Sequence, residues 1–404
     1  MVDIDGRFTI DVLRDLVRIN SVNPSLSAAG VGEAEIARYT ASTMAALGLE
    51  VHTHEPQPGR VSVVGRLRGA GGGRVLMLNA HYDTVAVGEM AHPFAAAIAD
   101  GRCYGRGAYD MKGSLAACVG AVKALGDSGV ALRGDVLIAA VADEEHASLG
   151  TSDLIGRYQV DGAIVTEPTS LKICLAHKGF VWLTVTVEGR AAHGSQFAHG
   201  IDANVRLGAV LSRLGRLATE LRGRAPHPLV GPPSLHAAMI SGGTGMSTYA
   251  ASASVGIERR TVPGETTEQV VAEIRQVIDA ATRDDSTVKA SLTVDLVRAP
   301  FEIAPDRQIV RTLSDAATTV LGERPPYIGE NPWMDSALLA TAGIETVVMG
   351  PHGAGAHAKE EWVDVQSVVR FAQVLAVAAG QYCSCRPDRY GHPAQSATVW
   401  EIGR

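Results

Sequence analysis

A chain of 404 residues that is 46% hydrophobic is long enough to bury a large core, and two domains are expected. Its 36 basic and 43 acidic side chains leave a net charge of -7, and no polybasic run stands out, so neither nucleic acid nor an anionic membrane is an expected partner. The opening Met1-Val2-Asp3-Ile4-Asp5 has no basic or apolar leader and no apolar run reaches the roughly 18 residues of a membrane span, which predicts a soluble, cytoplasmic protein.

Taken in chain order, the first 177 residues alternate helix and strand patterns. A helix is predicted over 33–47, a buried strand over 75–80, a turn-rich stretch over 101–107 and a second helix over 112–125. Apolar runs over 136–142 and 163–166 add two more buried strands. Such alternation predicts a mostly parallel α/β sheet with helices on both faces. The pattern changes at about 178: half-exposed strand 181–188, amphipathic helix 202–221, strands 235–241 and 251–258, helix 267–281 and strand 289–297. That βαββαβ order is the split βαβ, or ferredoxin-like, α+β sandwich, a four-stranded sheet with two helices on one face. Helix 306–321, strand 345–349 and helix 365–379 then resume the first pattern. The expected organisation is a discontinuous α/β domain from 1–177 and 298–404 with an inserted domain at 178–297. The tail from 383 to 404 is expected to be irregular, and with five cysteines and no secretory leader, Cys383 and Cys385 are read as thiols rather than as a metal site.

Four of the buried runs end in side chains that bind metals. They lead into His81-Tyr82-Asp83, Asp143-Glu144-Glu145, Glu167 and the loop carrying His357. An open α/β sheet places its ligand crevice beyond the carboxyl ends of its strands, so these groups are expected to converge there. Taken singly, each has an ordinary explanation: His-x-Asp as a loop pair, Asp110 as the N-cap of the following helix, Glu144-Glu145 as a solvated acidic turn. Together they permit a division of labour. One of two adjacent carboxylates can bind metal while the other moves a proton, and Asp83 can accept the second ring N–H of a metal-bound His81. Asp110, Glu145 and Glu167, with a shared hydroxide, balance the charge of two divalent ions, and His81 and His357 complete N/O donor sets suited to zinc, with cobalt or manganese as alternatives.

His81-Tyr82-Asp83-Thr84-Val85, Gly105-Arg106-Gly107-Ala108-Tyr109-Asp110-Met111-Lys112-Gly113, Asp143-Glu144-Glu145, Glu167-Pro168-Thr169-Ser170 and Ala356-His357 resemble the motifs of the M20 metallopeptidase family. That family includes acetylornithine deacetylase, succinyl-diaminopimelate desuccinylase, aminoacylase and the bacterial type of glutamate carboxypeptidase. The resemblance spans roughly residues 8 to 380 in one order. It implies that His81 and Glu167 hold one zinc ion, Glu145 and His357 the other, and that Asp110 bridges them, with Asp83 supporting His81 and Glu144 as general base. It further implies that the inserted domain is a lid, in which His193 of Gly189-Arg190-Ala191-Ala192-His193-Gly194-Ser195 donates to the developing oxyanion. Arg260, in Glu258-Arg259-Arg260-Thr261-Val262-Pro263-Gly264, matches the position that binds a substrate carboxylate. Ser247 occupies a position where relatives often carry Asn, and Glu258 replaces a commoner Asp.

The implied activity is hydrolysis of the amide of an N-acyl amino acid or similar small amide, with a dipeptidase or carboxypeptidase as the alternative. Two-metal phosphoester hydrolysis lacks its phosphate clamps in this sequence, and a non-catalytic relative would be expected to lose the base or a ligand. The exposed edge of the inserted sheet makes a homodimer through the lid the expected assembly.

Overall fold

The computed structural model describes residues 2–386. They fall into two compact units: residues up to Leu175 with Ile303–Ile328 and the segment from Met334 onward, and Ala176–Glu302 with Gly329–Trp333. The second unit is thus inserted into the first. Residues 387–404 of the expected irregular tail lie outside the described residues, while Cys383 sits inside the helix Val365–Ser384 and is buried.

The sheet of the first unit runs in the order Glu50–Gln57, Arg60–Leu67, Val136–Val141, Leu76–His81, Gly162–Val165, Glu345–Val348 and Ile173–His177. It is a mixed sheet. Val136–Val141, Leu76–His81, Gly162–Val165 and Glu345–Val348 are mutually parallel. The hairpin Glu50–Gln57/Arg60–Leu67 and the last strand join antiparallel at either side. The central strands are buried along nearly their whole length, as continuous Val, Leu, Ile and Ala runs covered on both faces should be. Helices Gly6–Arg18, Gly113–Asp127, Gln308–Leu321 and Val365–Ser384 pack with one another along the sheet. Gly113–Asp127 is rich in Gly and Ala and is buried on almost every side, because small residues admit neighbours all round its axis. Gly6–Arg18 begins where the Asp5 side chain accepts the Phe8 N–H at 3.0 Å, an N-cap ahead of an amphipathic run.

The second unit has the order βαββαβ: Gly179–Glu188, Ala203–Arg222, Ser234–Gly242, Ser252–Thr261, Thr267–Asp284 and Lys289–Arg298. Its antiparallel sheet is ordered Ser234–Gly242, Ser252–Thr261, Gly179–Glu188, Lys289–Arg298. Alternate residues Val181, Leu183, Val185 and Val187 point into a core shared with Val255 and Ile257 and with Leu207, Val210, Leu214, Val270 and Ile274 of the two helices. Asp202 caps the first helix through the N–H groups of Asn204 and Val205. Thr266 and Gln269 form a reciprocal capping box on the second.

Candidate active site and metal centre

Because the four central strands are parallel, their carboxyl ends lie along one edge of the sheet, and that edge gathers the candidate ligands. His81 is the last residue of its strand, Glu144 and Glu145 follow Val136–Val141, Glu167 follows Gly162–Val165, and the loop beyond Glu345–Val348 carries His357. Asp110 arrives from the turn Ala108–Lys112, where the Asp110–Met111 peptide is cis. It does not cap the next helix, whose N-cap is Lys112.

The side chains meet at ligand distances. His81 Nε2 lies 3.1 Å from Asp110 Oδ1, 3.5 Å from Glu167 Oε1 and 3.9 Å from Glu144 Oε2. His357 Nε2 lies 3.4 Å from the other Asp110 oxygen and 3.1 Å from Glu145 Oε2. Asp110 therefore stands between the two imidazoles, one oxygen toward each. Donor atoms of His81, Glu144 and Glu167, and separately of His81, Asp110 and Glu145, lie within 4.8 Å of one another.

Four carboxylates this close, in so buried a place, are under electrostatic stress. Burial, followed by repulsion from Glu167, pushes the Glu144 carboxyl well above its usual range, and burial carries Glu167 up to about 8. Glu145 is raised by burial and then by Asp110. Burial draws His81 down, yet Glu167, Asp110 and Glu144 more than reverse this and hold the ring protonated, while hydrogen bonds to Asp110 and Glu145 carry His357 up to about 10. Two imidazoles facing crowded carboxylates make a place suited to cations. This set of two imidazole nitrogens and several carboxylate oxygens is the borderline donor set that suits zinc and similar divalent ions, so the residues fit the implied metals.

Behind the ligands lies a buried polar layer that differs in one detail from the sequence expectation. The His81 Nδ1 hydrogen bond runs to the Asp83 backbone carbonyl at 3.0 Å, with the Asp83 carboxylate at 3.7 Å. That carboxylate instead accepts the backbone N–H groups of Glu144 at 3.1 Å and Glu145 at 3.3 Å, and Asn23 Nδ2 at 2.8 Å. Asp83 thus braces the two glutamates as well as the histidine turn. Asn23 also donates to Asp143 and accepts from Arg60, whose guanidinium pairs with Asp143 and, at 2.7 Å, with Glu33.

The remaining sequence candidates lie in the second unit. His193 is exposed, its Nδ1 2.8 Å from Ser195 Oγ, and its backbone bridges Thr248. Ser247 joins this turn through its carbonyl, which accepts the Gly194 N–H at 2.7 Å. Arg260 pairs with Glu258 and lies over the Phe180 ring, 5.2 Å from its centre. Its neighbour Arg259 is fully buried and spoken for by Glu265 and Glu273, so the two arginines divide into a structural and an available one.

Sequence reasoning missed Asp335, Asn23, Arg60, Glu33 and Glu361. Asp335 is buried and accepts Thr151 Oγ1 at 2.5 Å, and its charge bears on Glu144 and Glu167. None of the five belongs to a run of chemistry-bearing residues. Their signal is only spatial, except that Glu361 stands four residues beyond His357.

A family model described as peptidase family M20/M25/M40 matches residues 77–381. Acetylornithine deacetylase of Myxococcus xanthus is 29% identical over 335 residues, which is 81% of this chain and 85% of that protein. Among solved structures, aminopeptidase PepT from Bacillus cereus has a TM-score of 0.78 at 18% identity, covering 94% of this chain and 99% of that one. The Bacillus subtilis YxeP protein, described as a dinuclear metal-binding peptidase of the M20 family, has a TM-score of 0.73 at 17% identity, covering 93% and 98%. With the family match extending over three quarters of its length and across every ligand-bearing strand end, this chain belongs to peptidase family M20/M25/M40 and is a hydrolase of that family.

Proposed function

We propose that the protein hydrolyses the amide of an N-acyl amino acid or a closely similar small amide, with two divalent ions, zinc by preference, held by His81 and Glu167, by Glu145 and His357, and by Asp110 between them. The observation that carries this reading is Asp110, which presents one oxygen to each of two imidazoles that are themselves backed by further carboxylates. When bound, such a pair of ions polarises a carbonyl and makes a water between them easier to deprotonate.

The chain's own groups supply the rest. Glu144 takes the proton from the attacking water and delivers it to the leaving amine nitrogen. Asp83 holds the backbone of Glu144 and Glu145, so the base and its neighbouring ligand keep their separation. His193 donates a hydrogen bond to the oxygen on which negative charge develops, and Arg260, with Ser247 beside the His193 turn, binds the carboxylate of the substrate. Deacylation is favoured over peptide cleavage because the Myxococcus xanthus relative named acetylornithine deacetylase is 29% identical, whereas the two peptidase structures named above are 18% and 17% identical. A cytoplasmic homodimer joined through the second unit completes the proposal. It rests on the exposed apolar Met239 and Ile240 along the edge strand Ser234–Gly242. Light scattering that returns a monomer at micromolar concentration would oppose it.

The deciding measurement is free amine released from N-acetyl, N-formyl, N-succinyl and aromatic N-acyl amino acids beside a set of dipeptides, with zinc-loaded enzyme. Turnover of acyl amino acids is expected, and cleavage of dipeptides alone moves the protein to the peptidase branch. Glu144→Ala should lower kcat by about 10²–10⁴-fold or more while metal content stays at the wild-type level. Since Glu144 also lies in ligand reach of His81 and Glu167, loss of metal in that variant would make it a ligand instead of the base.

A further inference from the structure

The strands Arg102–Tyr104 and Trp362–Asp364 pair antiparallel, with Tyr104 opposite Trp362. The loop that leaves the first strand carries Asp110, and the loop that enters the second carries His357. Both loops therefore spring from the same end of one ladder. The ladder continues for one further step, since the Gly105 N–H donates to the Glu361 carbonyl at 3.1 Å.

Beyond that step the Glu361 side chain turns inward and is 1% exposed. One of its oxygens accepts the N–H groups of Tyr109 and Asp110, both at 3.0 Å. The other accepts the Gly107 N–H at 3.0 Å and Arg106 Nη1 at 2.7 Å. Arg106 returns the connection, its second terminal nitrogen donating to the Ala358 carbonyl at 2.9 Å, one residue past His357. The loop on the His357 side is itself tightly drawn. Gly355 has φ +86, and a Cβ there would run into the Glu360 carbonyl. A buried carboxylate with four donors from one segment and a paired guanidinium reaching the other is a built connection, since charge-assisted bonds of this kind are the strong ones.

We propose that Glu361, with Arg106, is a positioning latch that fixes the Asp110 loop against the His357 loop, and so sets the separation of the two side chains that share the second of the two metal positions. The His81 and Glu167 position shares Asp110 with the second but draws its other two ligands from strand ends that the latch does not touch. The inference rests on the dinuclear reading above and adds a prediction of its own. Breaking the latch should weaken the second metal position much more than the first.

The test titrates Co2+ into metal-free protein and reads the bound metal per chain together with the visible absorption of the cobalt. Wild type should take up two ions. Glu361→Gln and Glu361→Ala should bind the second about 10–100-fold more weakly, the usual effect of removing a partner that orients a ligand, and should weaken the first, which keeps His81 and Glu167, much less. His357→Ala should lose the same ion, and combining it with Glu361→Gln should add little. Arg106→Gln, which opens the latch from the opposite loop, should behave as Glu361→Gln does, and it keeps the test open if the glutamate variants fail to fold. Two ions bound at wild-type affinity in Glu361→Gln and Arg106→Gln would overturn the latch, as would equal weakening of both ions. Wild type that binds only one cobalt would instead overturn the dinuclear reading, so the two failures are distinguishable.

Discussion

His81 and His193 are both candidates for the same reaction, yet their surroundings are opposites. His81 is 1% exposed, fixed on one side by the Asp83 carbonyl and faced on the other by three carboxylates. His193 is exposed, and its ring lies beside the Ser195 hydroxyl within its own unit. The first unit brings its candidate groups together at its strand ends, at the cost of crowding like charges in a buried place. The second unit is a conventional alternating sandwich that stores its stability in a plain hydrophobic core, leaves His193 and Ser247 exposed, and holds Arg260 half-buried against Glu258 and Phe180. Preorganisation is thus concentrated where charge must be controlled, and the exposed groups gain a role only when something binds to them.

That contrast can be broken by substitution in the second unit. His193→Ala should lower kcat by about 10²–10³-fold, the usual effect of losing one oxyanion donor, with metal content unchanged and the melting temperature nearly unmoved because the side chain is exposed. Unchanged kcat would sink its role. A smaller effect is expected from Arg260→Ala, which should raise KM about 10–100-fold for substrates bearing a free carboxylate, as a hydrogen bond to a charged group allows. It should leave KM for the corresponding carboxamide substrates much less altered. If both substrate types suffer equally, Arg260 supports the sheet through Phe180 and Glu258 instead of binding the carboxylate.

Much of the first unit's site is legible in the sequence because each ligand ends a buried apolar run, and a parallel sheet converts four such endings into one line of side chains. Residues 75–80, 136–142, 163–166 and 345–349 coincide with strands that stand side by side at the centre. The flanking strand Glu50–Gln57 escaped notice because it is largely exposed and polar, and Ala97–Ala99 and Arg102–Tyr104, in a separate small sheet, because they are too short for a period to show. The polar layer behind the ligands was invisible for another reason. Asn23, Arg60 and Glu33 are separated in sequence from the residues they support, and nothing in a single chain says that a polar residue will be buried. The relation of Asp83 to the Glu144 and Glu145 backbone has the same origin, since it depends on two strand ends lying side by side rather than on the period within either.

The smallest effect concerns that polar layer, and its sign is informative. Glu33 is fully buried with Asp83 and Asp143 nearby and only the Arg60 guanidinium, shared with Asp143, to oppose them. Burial first, then repulsion from Asp83, outweighs Arg60 and raises the Glu33 carboxyl from 4.5 to about 8. The folded protein therefore holds this proton more tightly than the unfolded chain does. The stabilisation is complete below pH 4.5 and is lost as pH rises through about 8. Glu33→Gln, which stays neutral with nearly the same shape, should match wild type at the acid end of that window and become the more stable of the two toward its alkaline end. Thermal unfolding of both proteins across the window, at equal metal loading, reads the difference directly. The opposite trend, with wild type gaining on the variant as pH rises, would mean that the ion pair with Arg60 dominates and that Glu33 is buried as an anion. In that case the charge stress at the candidate metal ligands would extend a full layer deeper into the sheet, to Glu33.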